Sequence, residues 1–201
     1  MKRKYIFSLW VSLWCGIAFA GASPIDMLDS TAKQVIGALR AEKADLASNR
    51  TIVYQIVNRY LLPHVDVYGM SRSVLGRNTW MTATAQQRDN FTREFTKLVV
   101  RTYSGALAEY TDEDIRFSPL RGGDQGKQFV NVNSLIVRSQ GKNIPLNYSL
   151  VWTGGQWKIY DMSVEGVSLL QSFRSQFAQE LSQGSLDALI QKLTTHNIKK
   201  Q

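Results

Sequence analysis

The sequence has few of the residues from which covalent and metal-bound frameworks are built. In 201 residues it contains one cysteine, two histidines and four prolines. One cysteine excludes a disulfide framework and a cysteine-based zinc site, and two histidines leave little material for a metal cluster. The few prolines and the lack of any long biased run exclude collagen-like, disordered and coiled-coil chains. Hydrophobic residues make up 44% and charged residues 20%, so the composition is that of an ordinary globular protein.

Common enzyme signatures are missing from the sequence as well. It contains no G-x-S-x-G elbow, no H-E-x-x-H pair and no dinucleotide-binding glycine fingerprint after a strand. The segment 122–128 superficially suggests a phosphate-binding loop, but its spacing is wrong and it lies between two predicted strands. His64 and Asp66 could form a base with an orienting partner, but no nucleophile can be placed beside them. A histidine that interacts with the terminal carbonyls of the preceding helix is the simpler interpretation.

The first twenty residues have the pattern of a cleavable secretory signal. Lysine and arginine fill positions 2–4, an apolar run covers 5–19, and Ala18-Phe19-Ala20 supplies small residues for a signal peptidase. The apolar run is shorter than the roughly 20 residues that span a bilayer, although an uncleaved anchor is the alternative. Cys15 follows the bulky Trp14, which disfavours a lipidated cysteine. We predict a signal peptide at 1–20, export, and one mature domain at 21–201 without cysteine, with a formal charge of +5 instead of +8.

The first half of the mature chain has the periodicity of helices. Apolar stripes predict helices over 24–46 and 50–61, and less regular turns follow, separated by Gly69 and Gly76. Thr84 and Gln87 form a capping box at the start of the longest predicted helix, whose apolar face extends to Tyr110.

The period changes to two near residue 112, which predicts strands. We predict four of them: one containing Ile115 and Phe117, then 129–137, 144–152 and 157–164. Short links join these strands, so they form an antiparallel meander. Two helices follow, the first with Val167 and Leu170 on its apolar side. The predicted fold is therefore α+β, a four-stranded antiparallel sheet with helices on one face.

Three basic residues recur every four positions along the longest helix: Arg93, Lys97 and Arg101. Like charges at this spacing cost a few tenths of a kcal/mol per pair. A simple solvated face and a docking surface for an anionic membrane or an acidic protein both explain them. Nucleic acid is not expected as a partner, since the chain is exported and no nucleic-acid motif accompanies the charge.

The strands and the longest helix also carry many large apolar residues. Their periodicity does not distinguish a filled core from a hollow one that receives an apolar ligand. From the residues alone, both interpretations stay open.

Several motifs resemble those of the MlaC family of periplasmic phospholipid carriers. Residues 61–66, Leu-Leu-Pro-His-Val-Asp, resemble its "LLP-x-V" helix exit. Leu75-Gly76, Trp80 and 84–91 resemble "LG…W/Y…T-x-x-Q-R-x-x-F", and 103–107 fits "Y-x-x-A-L". Residues 157–168 resemble "W-x-x-Y-D-x-x-x-E-G-V-S", the most specific of these motifs. The pieces stand in the family's order and cover most of the mature chain, with a poorer match at 66–73.

This resemblance implies a carrier that exchanges phospholipid with an inner-membrane Mla ABC transporter complex and an outer-membrane lipoprotein–porin complex, with transient membrane contact. It implies that acyl chains lie in a cavity between the curved sheet and the N-terminal, central and C-terminal helices, with no catalysis and no cofactor other than the bound lipid. The residues expected to line that cavity are Leu75, Leu98, Val99, Tyr103, Leu107, Phe117, Val130, Val132, Leu146, Tyr148, Leu150, Trp152, Tyr160, Met162, Val164, Val167 and Leu170.

Asp161 and Glu165 are expected to be structural, because they flank a turn into a helix, and Gly166 to allow an unusual backbone angle there. The rival interpretations are a carrier of another apolar ligand, a small α+β enzyme with a cone-shaped pocket, and a structural adaptor with a filled core.

Overall fold

Helices precede and follow a single antiparallel sheet in the computed structural model, which describes residues 23–46, 49–108, 113–138 and 141–199. The predicted signal peptide at 1–20 and Tyr110 lie outside the described residues. The helices are α1 (Pro24–Ala41), α2 (Lys43–Leu46), α3 (Arg50–Ile56), α4 (Val67–Thr82), α5 (Ala85–Ala108), α6 (Leu169–Gln183) and α7 (Leu186–Lys199). The strands are β1 (Asp114–Phe117), β2 (Phe129–Val137), β3 (Ile144–Thr153), β4 (Gln156–Val164) and β5 (Val167–Ser168).

The first two predicted helices, 24–46 and 50–61, begin where α1 and α3 begin but extend beyond their observed ends. Ser23 caps α1, where its side chain accepts a hydrogen bond from the backbone N–H of Asp26 at 3.1 Å. The helix ends at Ala41, and the short α2 is a separate element. After α3 the chain continues as a π-helical turn, Val57–Leu61, and a 3₁₀ turn, Leu62–His64. These irregular turns carry the chain from α3 to α4.

The two glycines predicted to interrupt the next region behave differently. Gly69 lies inside α4, where its backbone N–H donates to the capping carboxylate of Asp66 at 2.9 Å. A Cβ at position 69 would lie only 2.1 Å from Asp66 Oδ2, so any other residue there would have to displace the capping carboxylate. Gly76 does break the helix, because its φ of 76° and ψ of 162° are not helical. The prediction was therefore wrong at Gly69 and right at Gly76.

The capping box predicted at the start of the longest helix is confirmed. The Thr84 backbone N–H donates to the Gln87 side chain at 2.9 Å, and the Gln87 N–H donates to the Thr84 hydroxyl at 3.1 Å. This reciprocal pair satisfies two of the N–H groups that a helix start leaves without partners. The helix that follows, α5, is 24 residues long.

The sheet is an antiparallel meander in the order β1-β2-β3-β4-β5, and it has five strands within the described residues instead of the four predicted. The fifth is only two residues long and pairs Val167 and Ser168 with the end of β4. It follows a turn in which Glu165 and Gly166 both have positive φ. Two residues are too few for an alternating pattern, which explains why periodicity assigned Val167 to a helix.

Three groups of buried residues form the core. Phe91 and Phe95 of α5 pack against Phe173 and Phe177 of α6, with ring centroids 5.2–5.9 Å apart. A second cluster covers the inner face of the sheet, and a third joins α1 and α3 to α5. The last two helices therefore pack mainly against α4 and α5. Among the described helices, none has both the length and the hydropathy needed to cross a membrane.

Candidate functional site

A cavity of about 450 Å³ lies between the inner face of the sheet, helices α1, α4 and α5, and the irregular turns that follow α3. Its volume falls within the range of roughly 300–1,000 Å³ that is usual for small-molecule sites. The question that periodicity left open is thereby answered for this region, because the large side chains do not fill it. Of the last two helices, only Leu169 at the start of α6 contributes to the described lining, so the prediction that the C-terminal helices close the cavity was too broad.

One wall of the cavity comes from helices. The middle and end of α5 contribute Val99, Tyr103 and Leu107, and α1 contributes Leu28 and Val35. The π-helical and 3₁₀ turns add apolar side chains at the base of this wall. The helical wall is thus made from three segments that are distant in sequence.

The opposite wall comes from the sheet, and strand register determines which side chains reach it. Leu146 pairs with Val164, and Tyr148 pairs with Met162, so these four residues share one face of neighbouring strands. All four line the cavity. Because strand residues alternate between faces, the residues between them point away from it.

Apart from one ion pair at the end of the sheet, the polar side chains of the described lining are few and uncharged. Thr31 and Thr96 line it, and their hydroxyls donate to backbone carbonyls four residues earlier, at 2.8 and 2.7 Å. Burial raises the pKa of Tyr148 and of Tyr103, so both phenols stay protonated at neutral pH. The interior therefore presents methyl, methylene and ring carbon with a few hydroxyl groups.

Charge enters the described lining at one end of the sheet. Glu113, just before β1, and Arg138, just after β2, lie 3.8 Å apart as an ion pair. Glu113 is the only carboxylate among the described lining residues, and this pairing occupies it. An acid or base poised over the apolar interior is thus not found among them.

Seven of the residues predicted to bind lipid line this cavity: Val99, Tyr103, Leu107, Leu146, Tyr148, Met162 and Val164. The other ten lie outside its lining. In the helical cluster are Leu75, Leu98 and Leu170, with Tyr160 packed against it; in the sheet cluster are Val130, Val132 and Leu150, with Phe117 packed against it. Trp152 and Val167 are 37% and 61% exposed.

The N-terminal helices were expected to help close the cavity, but sequence reasoning named none of their residues among the lining. The apolar stripe of α1 was visible as Leu28, Val35 and Leu39, but nothing in its period showed that it faces a space instead of a packed core. The turns after α3 add Leu61 and Leu62, which belong to the "LLP" motif. That motif was therefore the signal that could have placed this segment at the cavity.

Two residues of the basic stripe of α5, Arg93 and Lys97, contact a buried carboxylate. Glu94 is 4% exposed and accepts hydrogen bonds from Lys97 Nζ at 2.9 Å, Arg93 Nε at 3.3 Å and Asn197 Nδ2 of α7 at 3.0 Å. Burial by itself raises the pKa of Glu94, but these hydrogen bonds and the charge of Lys97 outweigh it and hold that pKa below its ordinary value. Arg101 has one buried guanidinium nitrogen, Nη1, that lacks a hydrogen-bond partner among the described residues.

The other residues weighed for chemistry have structural positions. Asp66 caps α4, as described above. Asp161 accepts hydrogen bonds from Ser168 Oγ at 2.5 Å and from the N–H of Leu170 at 3.1 Å, which confirms a role at the start of α6. The expectation for Glu165 was wrong, because its carboxylate is exposed and forms no hydrogen bond with the described residues. The segment 122–128 joins β1 to β2. Among the described residues there is no group of three His, Cys, Asp or Glu that could hold a metal ion.

Comparison with known proteins places this geometry in context. The family model for the MlaC protein matches residues 29–195. The toluene tolerance protein ttg2D of Pseudomonas putida is 30% identical over 171 residues, which are 85% of this chain and 79% of that protein. The intermembrane phospholipid transport system binding protein MlaC of Haemophilus influenzae is 28% identical over 192 residues, or 93% of this chain and 88% of that protein.

A solved structure has the same fold. The phospholipid-binding protein from Ralstonia solanacearum, solved in complex with a phospholipid, aligns with a TM-score of 0.81 and 26% identity. The alignment covers 89% of this chain and 98% of that one.

Proposed function

This chain belongs to the MlaC family, and from that membership we propose that it is a periplasmic carrier that binds phospholipid and moves it between the outer and inner membranes. The observation that carries the proposal is the apolar cavity of about 450 Å³, in a fold whose relative from Ralstonia solanacearum was solved with a phospholipid. In this proposal the acyl chains lie between the sheet and α5, and residues 21–201 form a single lipid-binding domain.

The energetics of acyl chains favour a closed carrier over free diffusion. Two chains expose about 30 methylene-sized groups, and at about 0.8 kcal/mol each their transfer into water costs roughly 24 kcal/mol. Escape of the lipid through water is therefore very slow. A bilayer offers nearly the same transfer free energy as the cavity, so the carrier needs only to match the membrane in order to release its cargo there.

The proposal includes the partners and the direction of transport. We propose exchange with an inner-membrane Mla ABC transporter complex and an outer-membrane lipoprotein–porin complex. Transport toward the inner membrane would keep phospholipid out of the outer leaflet and maintain the asymmetry of the outer membrane. The names of the Haemophilus influenzae and Pseudomonas putida relatives, an intermembrane phospholipid transport protein and a toluene tolerance protein, support this setting.

We propose that residues 1–20 direct export and are then removed.

We also propose that the basic stripe of α5, Arg93, Lys97 and Arg101, docks the protein on an anionic membrane or an acidic partner protein. Arg93 and Lys97 line a surface groove that shares Val67 and Thr96 with the cavity lining. An anionic membrane lipid or an acidic partner that binds them would therefore lie near the cargo. Reversing the charge of Arg93, Lys97 and Arg101 should lower transfer between membranes. The amount of bound lipid should stay unchanged, since none of the three lines the apolar cavity.

The proposed activity is transfer without catalysis. The titratable groups in the described lining include two neutral phenols and one ion-paired carboxylate. This set favours binding of an apolar ligand over acid–base catalysis.

The deciding experiment is organic extraction of freshly purified protein followed by mass spectrometry. About stoichiometric phospholipid is expected. Protein that purifies without lipid and takes up none from vesicles would contradict the proposal, and another apolar ligand in the extract would identify a different carrier.

A further inference from the structure

The two ends of the apolar cavity are unlike. At one end lie the ion pair of Glu113 and Arg138 and the half-buried Leu107 near the end of α5, and all three line the cavity. The side chain of Arg138 is 45% exposed, so water reaches this end. A phospholipid can keep its polar part hydrated here while its acyl chains run inward. These three residues form what is called the charged end below.

The opposite end of the cavity is apolar and buried. Phe95 of α5, Met70 of α4 and Ile159 of β4 line it, and they are 2%, 7% and 2% exposed. Val67 and Thr96, both half-buried, separate this part of the cavity from the surface groove beside α5. Met70, Phe95 and Ile159 form the closed end.

Backbone hydrogen bonds fix the closed end to the sheet. Val65 forms a parallel bridge with Ile159, and the N–H of Asp66 donates to the Ile159 carbonyl at 2.9 Å. The carbonyl of Asp66 in turn accepts a hydrogen bond from the N–H of Met70 at 2.9 Å. Met70 is thus linked to β4 through a single residue, so its backbone would have to break these bonds in order to move away from the sheet.

The helical cluster of α4–α7 lies behind the closed end, and Met70 is the adaptable member of this boundary. Phe95 packs among other rings, with centroids 5.6 Å from Phe91 and 5.2 Å from Phe173. Met70 belongs to the same cluster, but its side chain is unbranched and fills irregular gaps. The size of the side chain at position 70 can therefore change the depth of the cavity while the packed rings stay in place.

The distance between the two ends suits an acyl chain of ordinary length. From Phe95 to Leu107, α5 rises about 18 Å at about 1.5 Å per residue. On the opposite wall, the lining of β4 from Ile159 to Val164 spans about 16 Å at about 3.3 Å per residue. Half of a bilayer's hydrocarbon core is roughly 15 Å thick. A chain that fills one leaflet would thus reach the closed end with little space left over.

We propose that Met70 sets the longest acyl chain that the carrier encloses. The proposal rests on the phospholipid-carrier function proposed above and adds a chain-length limit to it. A donor bilayer encloses every methylene, so transfer of a chain that fits the cavity is nearly neutral. Each methylene of a longer chain that remains outside lowers binding roughly fourfold relative to the bilayer.

Competitive uptake from vesicles measures this limit. Protein stripped of lipid is incubated with vesicles that contain equal amounts of phosphatidylcholines differing only in the length of their two identical chains, and the bound lipid is extracted and quantified by mass spectrometry. For the wild type, the ratio of bound to donor lipid should be level for short chains and fall steeply beyond one length, the break. Met70→Ala removes the Cγ, Sδ and Cε atoms from the closed end, so the break should move to longer chains. The ratio for the first excluded length should rise about fourfold or more, the value of one enclosed methylene.

A second variant changes the closed end in the opposite direction. Val65 lines the cavity, is bridged to Ile159, and packs against both the helical cluster and the sheet cluster. The larger ring of Val65→Phe has the cavity to extend into, so the break should move to shorter chains. Circular dichroism verifies that each variant is folded, and Val65→Phe decides alone if Met70→Ala does not fold.

Matched large-to-small changes separate cavity depth from cavity volume and from stability. Leu107→Ala removes a comparable side chain at the charged end, which chains of every length pass. It should change the uptake of all lengths alike and leave the break in place. Leu189→Ala removes a buried side chain of α7 from the helical cluster, outside the described lining, and should leave the whole profile unchanged.

The outcomes distinguish the chain-length limit from the carrier function. A level wild-type profile, or a break that Met70→Ala or Val65→Phe leaves in place, would overturn the limit, while the observed lipid uptake would still support a carrier. A break that moves as far in Leu107→Ala as in Met70→Ala would assign the limit to total volume and also overturn the role of Met70. Failure of the wild type to take up any of these lipids would overturn both proposals.

Discussion

Replacing Val99 with aspartate should empty the cavity without unfolding the protein. Val99 lies in the middle of α5, lines the cavity and is only partly buried, so a carboxylate there can remain hydrated when no lipid is present. A matched substitution is available at Val167, which is 61% exposed on the two-residue β5 and lies outside the cavity lining. The two variants receive the same chemical change, and only one of them receives it inside the cavity.

The size of the effect follows from the methylene groups that the carboxylate keeps away. A hydrated carboxylate displaces about three or four acyl methylenes from the wall, at about 0.8 kcal/mol each. The loss of about 3 kcal/mol corresponds to roughly 100-fold weaker binding. Val99→Asp should therefore purify with little or no lipid and transfer little between vesicles, whereas Val167→Asp should match the wild type in both assays.

Phospholipid per protein, measured by extraction and mass spectrometry, is the primary assay, and circular dichroism verifies the fold. Stoichiometric lipid in folded Val99→Asp would refute the assignment of this cavity to the acyl chains. Loss of lipid in Val167→Asp with retention in Val99→Asp would instead place the binding surface at the sheet edge.

Two predictions concern stability. Because hydrogen bonds and the charge of Lys97 lower the pKa of Glu94 in the fold, its stabilising effect is present above its ordinary pKa and is lost as pH falls through the lowered value. Glu94→Gln should thus lower the free energy of unfolding at pH 7 by about 1–3 kcal/mol and flatten its acid dependence in urea titrations; parallel curves for both proteins would contradict this. Gly76→Ala should cost about 1–3 kcal/mol, since Gly76 has a φ of 76° and a ψ of 162°, whereas Gly105→Ala inside α5 should stabilise by about 0.5–1 kcal/mol. A harmless Gly76→Ala in thermal unfolding would disprove the strain argument.

The predictable part of the fold was the part set by local interactions. The capping box at Thr84 and Gln87 and the long alternation from Ile144 to Trp152 depend on neighbours within a few residues, and the structure confirms both. Gly69 was misinterpreted because its role depends on a side chain three residues away, the Asp66 carboxylate that leaves no space for a Cβ. Strand β5 was missed because two residues cannot display a period.

The cavity was harder to predict because lining and core residues have the same chemistry. On β3, Leu146 and Leu150 both alternate inward, yet Leu146 lines the cavity and Leu150 is fully buried in the sheet cluster. The β-bulge between Ser149 and Leu150 shifts the register at this point, and no feature of the strand's own pattern indicates it. Tertiary packing decides which apolar residues line a cavity and which contact other side chains. Periodicity could therefore predict the inward face of a strand, but not which of its residues line the cavity.

A permanent apolar space requires that the protein's stability come from elsewhere, and the clusters around it meet this requirement. Phe91, Phe173 and Phe177 pack α5 against α6 outside the cavity lining. Val132 and Leu150 belong to the cluster on the inner face of the sheet and are 1% and 0% exposed. These contacts form among the protein's own side chains and involve no ligand. Close-packed interiors resist deformation, which favours walls that stay apart when the space is empty. Part of the folding stability is therefore carried by residues outside the cavity lining, and a variant such as Val99→Asp can change ligand affinity while leaving these contacts in place.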